Sequence, residues 1–150
     1  MGRLADAVAR YQLVGVDSPL FIYMLEAHPI FAQPAHDPFE AVTTGVVAGC
    51  TSVLTLIETT VAPFRAGLVD VADNYRSAIL KMPNLAVIDI DPEAATSGAR
   101  LRAKYGLRTP DALQLAACIE AGADAFVTND RQLQRVAEIP VLLLSDFVDG

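Results

Sequence analysis

Short apolar runs alternate with segments of helical periodicity along the chain, and this alternation constrains the fold more than any other feature. Each run is bounded by turn signals, as a buried strand is, whereas the segments between the runs repeat apolar residues at helical spacing. Strands that alternate with helices favour a mainly parallel sheet covered on both faces. The sequence therefore predicts a three-layer α/β/α sandwich with a mainly parallel central sheet. The predicted strands are Leu13–Val16, Gly45–Cys50, Leu85–Ile90, Asp124–Val127 and Val141–Leu144.

The length and composition of the chain are those of one globular domain without a membrane span. Of its 150 residues, 53% are hydrophobic, yet no uninterrupted apolar run approaches the roughly 20 residues that a transmembrane helix needs. We therefore expect a single domain over residues 1–150, with the apolar excess in a buried sheet, a buried helix or a subunit interface. The first residues lack the apolar segment of a signal peptide, which favours a cytoplasmic location.

The cysteines and the net charge argue against two classes of protein. Cys50 and Cys118 lie far apart in apolar contexts, which favours reduced core residues over a disulfide or a zinc site. A formal net charge of −7 means that the chain as a whole repels nucleic acid. A polyanionic substrate would have to be attracted locally, by bound cations or by a patch of arginines.

The segment from Arg108 to Cys118 places one acid at the start of an apolar helix. Thr109 is a suitable N-cap and Pro110 a suitable first helical residue, so Asp111 falls in the first turn. After Asp111, Gln114 is the only polar side chain of this segment, which predicts an almost wholly buried helix. Acids in first turns gain about 0.3–1 kcal/mol from the helix dipole. Asp111 by itself therefore does not indicate a functional site.

Two further acids lie where a predicted strand gives way to a helix. Asp17 ends the first strand, and Ser18-Pro19 after it is a helix-start signal. Asp130 follows the fourth strand and precedes a helical segment. Both acids thus have the same kind of position as Asp111.

Glu58 lies on the helix that follows the second strand. Thr51-Ser52 is a suitable cap for this helix, which we expect to run to about Arg65. At about 100° per residue, Glu58 falls at the edge of an apolar stripe, roughly 40° from Leu54, rather than on the opposite, solvated side. Such an acid is either a surface residue or a carboxylate that lines a cleft. The stripe consists of Leu54, Ile57, Val61 and Phe64.

The segment from Ala27 to Phe39 contains three prolines and predicts loop and turns, with at most a short helix starting near Asp37. The chain's two histidines, His28 and His36, lie here. We expect no regular element to hold them rigidly as metal ligands.

The four acids are expected to meet at one edge of the sheet. In an open parallel α/β sheet, the crevice outside the carboxyl ends of the strands is the default ligand site. Two like charges 4 Å apart repel by about 4 kcal/mol at an effective dielectric of 20, so a divalent cation would relieve the cluster. Oxygen ligands without cysteine or a well-placed histidine favour Mg²⁺ or Mn²⁺ over zinc. Such a site supports phosphodiester hydrolysis.

The residues around these acids resemble four motifs of the PIN-domain ribonucleases, and most closely those of the toxin component of bacterial VapBC-type toxin–antitoxin pairs. The motifs occur in family order and span nearly the whole chain. They are Val16-Asp17-Ser18 with Leu20-Phe21-Ile22-Tyr23; Thr51-Ser52 with Leu54 and Glu58; Thr109-Pro110-Asp111-Ala112-Leu113-Gln114-Leu115-Ala116; and Gly122-Ala123-Asp124 with Thr128-Asn129-Asp130.

The resemblance implies an endoribonuclease of PIN-like fold that hydrolyses RNA phosphodiesters with a Mg²⁺-activated water. It implies one or two Mg²⁺ or Mn²⁺ ions held by Asp17, Glu58, Asp111 and Asp130. Thr128 and Ser18 would orient a ligand or a water. The family also implies a homodimer and a cognate antitoxin that holds the toxin inactive. The chain departs from the usual pattern at Pro19 and in about eleven residues before its first strand, and neither change removes a ligand.

Four of the eleven basic residues lie close together before and at the start of the buried helix. They could flank the cleft and contact the RNA backbone. The alternative for each of them is a solvated helix face. They are Arg100, Arg102, Lys104 and Arg108.

Other functions fit parts of the pattern. A receiver-type phosphoacceptor domain also gathers acids around Mg²⁺, but it needs a lysine after a late strand, and Lys81 and Lys104 both lie on predicted helices. A catalytically silent PIN fold that serves as a binding or scaffold protein is a second alternative. A housekeeping RNA-processing nuclease is a third.

Overall fold

The computed structural model describes residues 3–148, and these form a sheet of five parallel strands in the order β3-β2-β1-β4-β5. The parallel α/β architecture predicted from the sequence is confirmed. Receiver domains have the strand order 2-1-3-4-5, so the observed order excludes that alternative. The strands are β1 (Leu13–Val16), β2 (Ala48–Ser52), β3 (Leu85–Ile88), β4 (Ala125–Thr128) and β5 (Val141–Leu143).

Seven α-helices cover the sheet within the described residues, and none of them is long and apolar enough to cross a bilayer. Short 3₁₀ turns over Arg131–Arg135 and Leu144–Phe147 follow the last two strands. The helices are α1 (Arg3–Val8), α2 (Ser18–Leu25), α3 (Ala32–Thr43), α4 (Leu54–Arg65), α5 (Val69–Leu80), α6 (Pro92–Tyr105) and α7 (Thr109–Glu120).

The core consists of two apolar clusters, one on each face of the sheet. Val14 and Val16 of β1 pack with α1, α2 and α3, whereas Gly15 between them faces α7, because successive strand residues point to opposite faces. A Cβ atom at Gly15 would lie 2.7 Å from Cδ1 of Phe126 and 2.9 Å from Sγ of Cys118. The buried helix α7 therefore lies directly against the central strand. Cys50 and Cys118 are both buried and free, as predicted.

The prediction of loop and turns over Ala27–Phe39 is wrong, because α3 begins at Ala32 and continues to Thr43. Pro38 lies inside this helix and is buried, as is Phe39. The ring of Phe39 lies 4.8 Å from that of Phe21 on α2, edge to face. Burial of this apolar side outweighs the poor helix propensity of proline. His36 lies on α3, where it pairs with Glu40 at 3.7 Å.

The apolar stripe expected on α4 faces solvent and not the core. Ile57, Val61 and Phe64 are 61%, 41% and 52% exposed, whereas Thr55 and Thr59 face the core. The threonines tolerate burial because their hydroxyls find acceptors, as when Thr59 donates to the Thr55 carbonyl at 2.7 Å. Three further apolar side chains, in the loop after α4 and on α5, are also exposed, namely Leu68, Val69 and Leu80. We call these six residues the α4–α5 apolar face.

Candidate active site

The carboxyl edge of the sheet brings two of the acids onto neighbouring strands. Asp17 directly follows β1 and Asp130 comes two residues after β4, and β1 pairs with β4. The Asp17 amide donates to the Val127 carbonyl at 2.9 Å, which ties the end of β1 to β4. Asp17 also caps the helix α2. The strand ends thus fix the backbone of this part of the site.

Asp17 is the most buried of the four acids, with 5% of its surface exposed. The Ser18 amide donates to its Oδ1 at 2.9 Å, and the Thr128 hydroxyl donates to its Oδ2 at 2.7 Å. Burial raises the pKa of Asp17 from 3.8 to about 6 against the opposing effect of these two hydrogen bonds, and the negative charges of Asp111 and Glu58 add to the rise. The carboxylates of Asp111 and Glu58 are therefore close enough to affect the ionisation of Asp17.

Thr128 connects Asp17 to Asp130. Its buried hydroxyl accepts from the Asp130 amide at 3.1 Å while it donates to Asp17. Oδ1 of Asp130 accepts from the Gln132 amide at 3.0 Å and caps the 3₁₀ turn. This position suits the orienting role that the family resemblance implies for Thr128.

Ser18 connects Asp17 to Glu58. Its amide donates to Asp17, and its hydroxyl donates to Oε1 of Glu58 at 2.9 Å. Glu58 is otherwise exposed. The structure thus joins the exposed Glu58 side chain to the group around Asp17 through Ser18.

Asp111 lies in the first turn of α7 and pairs with an arginine. Arg108, not Thr109, occupies the N-cap position, with the extended backbone angles of a cap but without a side-chain cap bond. Nε of Arg108 donates to Oδ2 of Asp111 at 3.1 Å, and the two side chains are 78% and 18% exposed. The hydrogen bond and charge of Asp111 raise the pKa of Arg108, and the charges of Asp130 and Glu58 contribute further. The guanidinium thus lies within the field of three of the acids.

The other basic candidates are not joined to the acids by any hydrogen bond or ion pair among the described residues. Arg102 donates from Nε to the Leu107 carbonyl at 2.8 Å. Lys104 pairs with Glu138 at 3.6 Å. Arg100 is exposed on α6. Of the four basic residues considered from the sequence, Arg108 is the one that the structure brings to the acidic edge.

A buried set of polar side chains beneath the acids was not recognised from the sequence as part of the site. Gln114 is 1% exposed and contacts the hydroxyls of Ser18, Thr51, Ser52 and Thr55. One signal could have indicated it. Between Asp111 and Cys118, Gln114 is the only polar side chain in an otherwise apolar stretch of helix, and a buried polar side chain requires hydrogen-bond partners.

The chemistry of the four carboxylates fits a hard divalent cation. All the side-chain donors are oxygens, the set that Mg²⁺ and Mn²⁺ prefer, and the negative charges of Asp111 and Glu58 add to the rise that burial causes in the pKa of Asp17. Among residues 3–148, no three acidic, histidine or cysteine side chains already stand in the arrangement of a metal site. The donors fit a metal, and closing them around an ion requires side-chain movement.

The chain belongs to the PIN domain family, whose model matches residues 15–139 and so includes all four acids. The fold is similar to that of chains in three solved structures. A VapBC2 complex from Rickettsia felis bound to a promoter DNA fragment matches with TM-score 0.71 and 15% identity, over 88% of this chain and 98% of that chain.

The second is a toxin–antitoxin complex from Klebsiella pneumoniae, with TM-score 0.66 and 19% identity over 87% of this chain and 97% of the other. The third is the VapBC-5 complex from Mycobacterium tuberculosis, with TM-score 0.56 and 18% identity over 87% and 98%. At these identities the likeness concerns the fold. None of the curated protein sequences that were compared matches this chain.

Proposed function

We propose that the protein is a metal-dependent endoribonuclease, composed of a single PIN-like domain, that acts as the toxin of a type II toxin–antitoxin pair in the cytoplasm. The observation that carries the proposal is the buried Asp17, which is joined through Ser18 to Glu58 and through Thr128 to Asp130, and whose pKa is raised in part by Asp111. Such a cluster costs stability unless a cation neutralises it.

The carboxylates of Asp17, Glu58, Asp111 and Asp130 are the groups that would hold Mg²⁺ or Mn²⁺. When bound there, such an ion would supply neutralisation of the charge that develops on a phosphate and a lowered pKa of a water. The protein contributes a rigid support, since the Ser18 amide and the Thr128 hydroxyl each fix one oxygen of Asp17. Apolar packing of α7 fixes the helix that carries Asp111.

The RNA backbone would meet Arg108 first. Its guanidinium is 78% exposed and has one carboxylate partner, Asp111, so it can turn towards a phosphate when a metal ion takes over the neutralisation of the acids. Arg100, Arg102 and Lys104 on α6 would extend the contact to flanking nucleotides.

A protein partner is supported by the α4–α5 apolar face. Large exposed apolar patches on soluble proteins mark interaction sites, and the similar solved structures are toxin–antitoxin complexes. We infer that a cognate antitoxin or the second subunit of a homodimer covers apolar surface of this chain.

The test of the proposed function is cleavage of a mixed panel of RNAs by the purified protein. We expect cleavage in Mn²⁺ or Mg²⁺ and none in EDTA, measured by gel electrophoresis of end-labelled RNA. Activity that persists in EDTA would contradict metal dependence. A gene for a small DNA-binding protein beside this one would distinguish a toxin from a housekeeping nuclease.

Two observations favour a second candidate, a catalytically silent PIN fold that binds a partner. Within residues 3–148 no metal-binding group is already formed, and Arg108 pairs with one of the acids. A folded protein that binds no Mn²⁺ and cleaves none of the RNAs would favour this candidate.

Replacement of Arg108 should have opposite effects on the affinities for Mn²⁺ and for RNA. Arg108→Ala removes the cation that competes for Asp111, so Mn²⁺ should bind about two- to fivefold more tightly, the range of an exposed ion pair. RNA should bind more weakly, with a smaller salt dependence, because a phosphate contact is lost. Titration calorimetry with Mn²⁺ and fluorescence anisotropy with a labelled RNA measure the two affinities.

The matched control is Arg10→Ala, which removes the same charge just before β1, at the opposite edge of the sheet. It should leave the Mn²⁺ affinity unchanged. Weaker Mn²⁺ binding by Arg108→Ala would show that Arg108 supports the acids instead of competing with the ion.

A further inference from the structure

Five buried polar side chains form one hydrogen-bonded cluster beneath the acids. Gln114 of α7 lies at its centre, and no buried side-chain nitrogen or oxygen among the described residues lacks a partner. A buried polar cluster of this kind is stable only when each donor meets an acceptor. The positions of its protons can therefore be worked out. The members are Ser18, Thr51, Ser52, Thr55 and Gln114.

The orientation of the Gln114 amide is fixed by a backbone group. The Ser52 amide donates to Oε1 of Gln114 at 3.2 Å, and the Ser52 hydroxyl bonds to the same oxygen. A backbone N–H can only donate, so in the flipped amide Nε2 would face that N–H, donor against donor. Nε2 of Gln114 therefore faces the other hydroxyls, at 3.0 Å from Ser18 and 2.9 Å from Thr55.

Each of the two threonine hydroxyls has one proton to donate, and its acceptor can be identified. The Thr51 hydroxyl donates to the Val16 carbonyl at 2.8 Å, because a carbonyl can only accept. Thr55 has two hydroxyl neighbours, Thr51 at 2.7 Å and Ser18 at 3.0 Å, and it donates to the nearer one, so Thr51 accepts. With its proton used, Thr55 accepts from Nε2 of Gln114.

The same reasoning fixes the proton of Ser18. Its hydroxyl lies 2.9 Å from Oε1 of Glu58, and a carboxylate can only accept. The Ser18 oxygen therefore accepts from Gln114 while its proton goes to Glu58. A chain of hydrogen bonds thus runs from the Ser52 amide through Gln114 and Ser18 to the Glu58 carboxylate of the candidate active site.

We propose that Gln114 is a positioning residue that holds Glu58 in place as a metal ligand through the Ser18 hydroxyl. This inference rests on the proposed function. Glu58 is exposed and has no other hydrogen-bond partner among the described residues. The bond from Ser18 fixes one carboxylate oxygen and leaves Oε2 available to an ion. Without it, the side chain would have to be ordered when the ion binds, at a cost in conformational entropy.

The test is a double-mutant cycle on Mn²⁺ affinity without RNA, measured by electron paramagnetic resonance of free Mn²⁺. Gln114→Met keeps the length of the side chain and removes the donor, and we expect binding about tenfold weaker, within the range for groups that orient metal ligands. Ser18→Ala should weaken binding by a similar factor. The double variant should bind no more weakly than Ser18→Ala, because Gln114 acts through Ser18.

If Gln114 only stabilised the fold, a different result would be expected. Replacement of Gln114 would lower the midpoint of urea denaturation, and its effect on Mn²⁺ affinity would persist in the Ser18→Ala background. The matched control is Thr59→Val, which removes another buried hydroxyl of α4 that donates to the Thr55 carbonyl outside the cluster. We expect Thr59→Val to lose stability and keep the wild-type Mn²⁺ affinity.

If Gln114→Met does not fold, Gln114→Glu serves in its place. A carboxylate there accepts where the amide donated, so the Ser18 proton turns away from Glu58 and binding should weaken as much. A folded Gln114 variant with wild-type affinity, or additive effects in the cycle, would overturn the inference alone. A wild-type protein that binds no Mn²⁺ would overturn the proposed function and the inference together.

Discussion

Asp17→Asn and Asp111→Asn are each expected to reduce metal-dependent RNA cleavage by at least about 100-fold. Groups that only orient metal ligands already contribute 10- to 100-fold, so the loss of a charged ligand should exceed that range. Asparagine keeps the shape of the side chain, and at position 17 its carbonyl oxygen can still accept from the Ser18 amide. The loss would therefore reflect the missing charge and not a change of fold.

The measurement is the initial rate of cleavage at saturating Mn²⁺, together with the Mn²⁺ affinity of each variant. Asp73→Asn is the matched control, since Asp73 is exposed on α5, and it should retain the wild-type rate. Full activity of Asp17→Asn or Asp111→Asn would show that the chemistry does not depend on the acidic cluster. Loss of activity with unchanged Mn²⁺ affinity would place that acid outside the metal site.

The sequence predicted the positions of the acids well because those positions follow from topology. The bounds of β1 were predicted as Leu13–Val16 and are confirmed, and parallel strands bring their carboxyl ends to one edge. Asp17 and Asp130 therefore had to lie near each other once β1 and β4 were neighbours. The burial of α7 also followed from its composition.

The sequence could not predict features that depend on tertiary partners. The prolines of α3 predicted a loop, but packing of Phe39 against Phe21 stabilises a helix there. On α4, hydropathy alone assigned the wrong side to the core, because the buried threonines are satisfied by hydrogen bonds and the apolar side is left for solvent or a partner.

The side-chain contacts inside the site also could not be predicted from the sequence. Helical spacing places Glu58 at the edge of a stripe, but only the position of Ser18 across the site shows which carboxylate oxygen is held. The pair between Arg108 and Asp111 depends on Arg108 being the N-cap of α7 in place of Thr109. Which side chains become partners depends on differences in distance of a few tenths of an ångström. The periodicity of the sequence does not encode such differences.

Asp17→Asn is also expected to stabilise the metal-free protein at pH 7 while it destroys activity. Burial raises the pKa of Asp17 from 3.8 to about 6 in the folded state. A raised pKa means that the folded protein holds the proton more tightly than the unfolded chain does. Its contribution to stability is therefore fully present below pH 3.8 and is lost as the pH rises through about 6.

One pH unit of pKa difference corresponds to about 1.36 kcal/mol, so ionisation of Asp17 costs about 3 kcal/mol at pH 7 when its pKa rises from 3.8 to about 6. Asparagine carries no charge, but it disturbs the bond from the Thr128 hydroxyl, which offsets about 1 kcal/mol of the gain. We expect the free energy of unfolding of Asp17→Asn to exceed that of the wild type by about 2 kcal/mol at pH 7 in EDTA, and the advantage to vanish near pH 4.

Urea denaturation from pH 4 to pH 8 in EDTA measures this difference, and Asp73→Asn should show no comparable pH dependence because an exposed acid changes stability by less than about 0.5 kcal/mol. Saturating Mn²⁺ should reverse the order, since an ion bound by the native wild type stabilises it by mass action. A metal-free Asp17→Asn that is less stable at pH 7 would mean that the carboxylate supports the fold. The expected result is that Asp17→Asn is more stable than the wild type but inactive. It would show that the Asp17 carboxylate serves metal binding and lowers the stability of the metal-free fold.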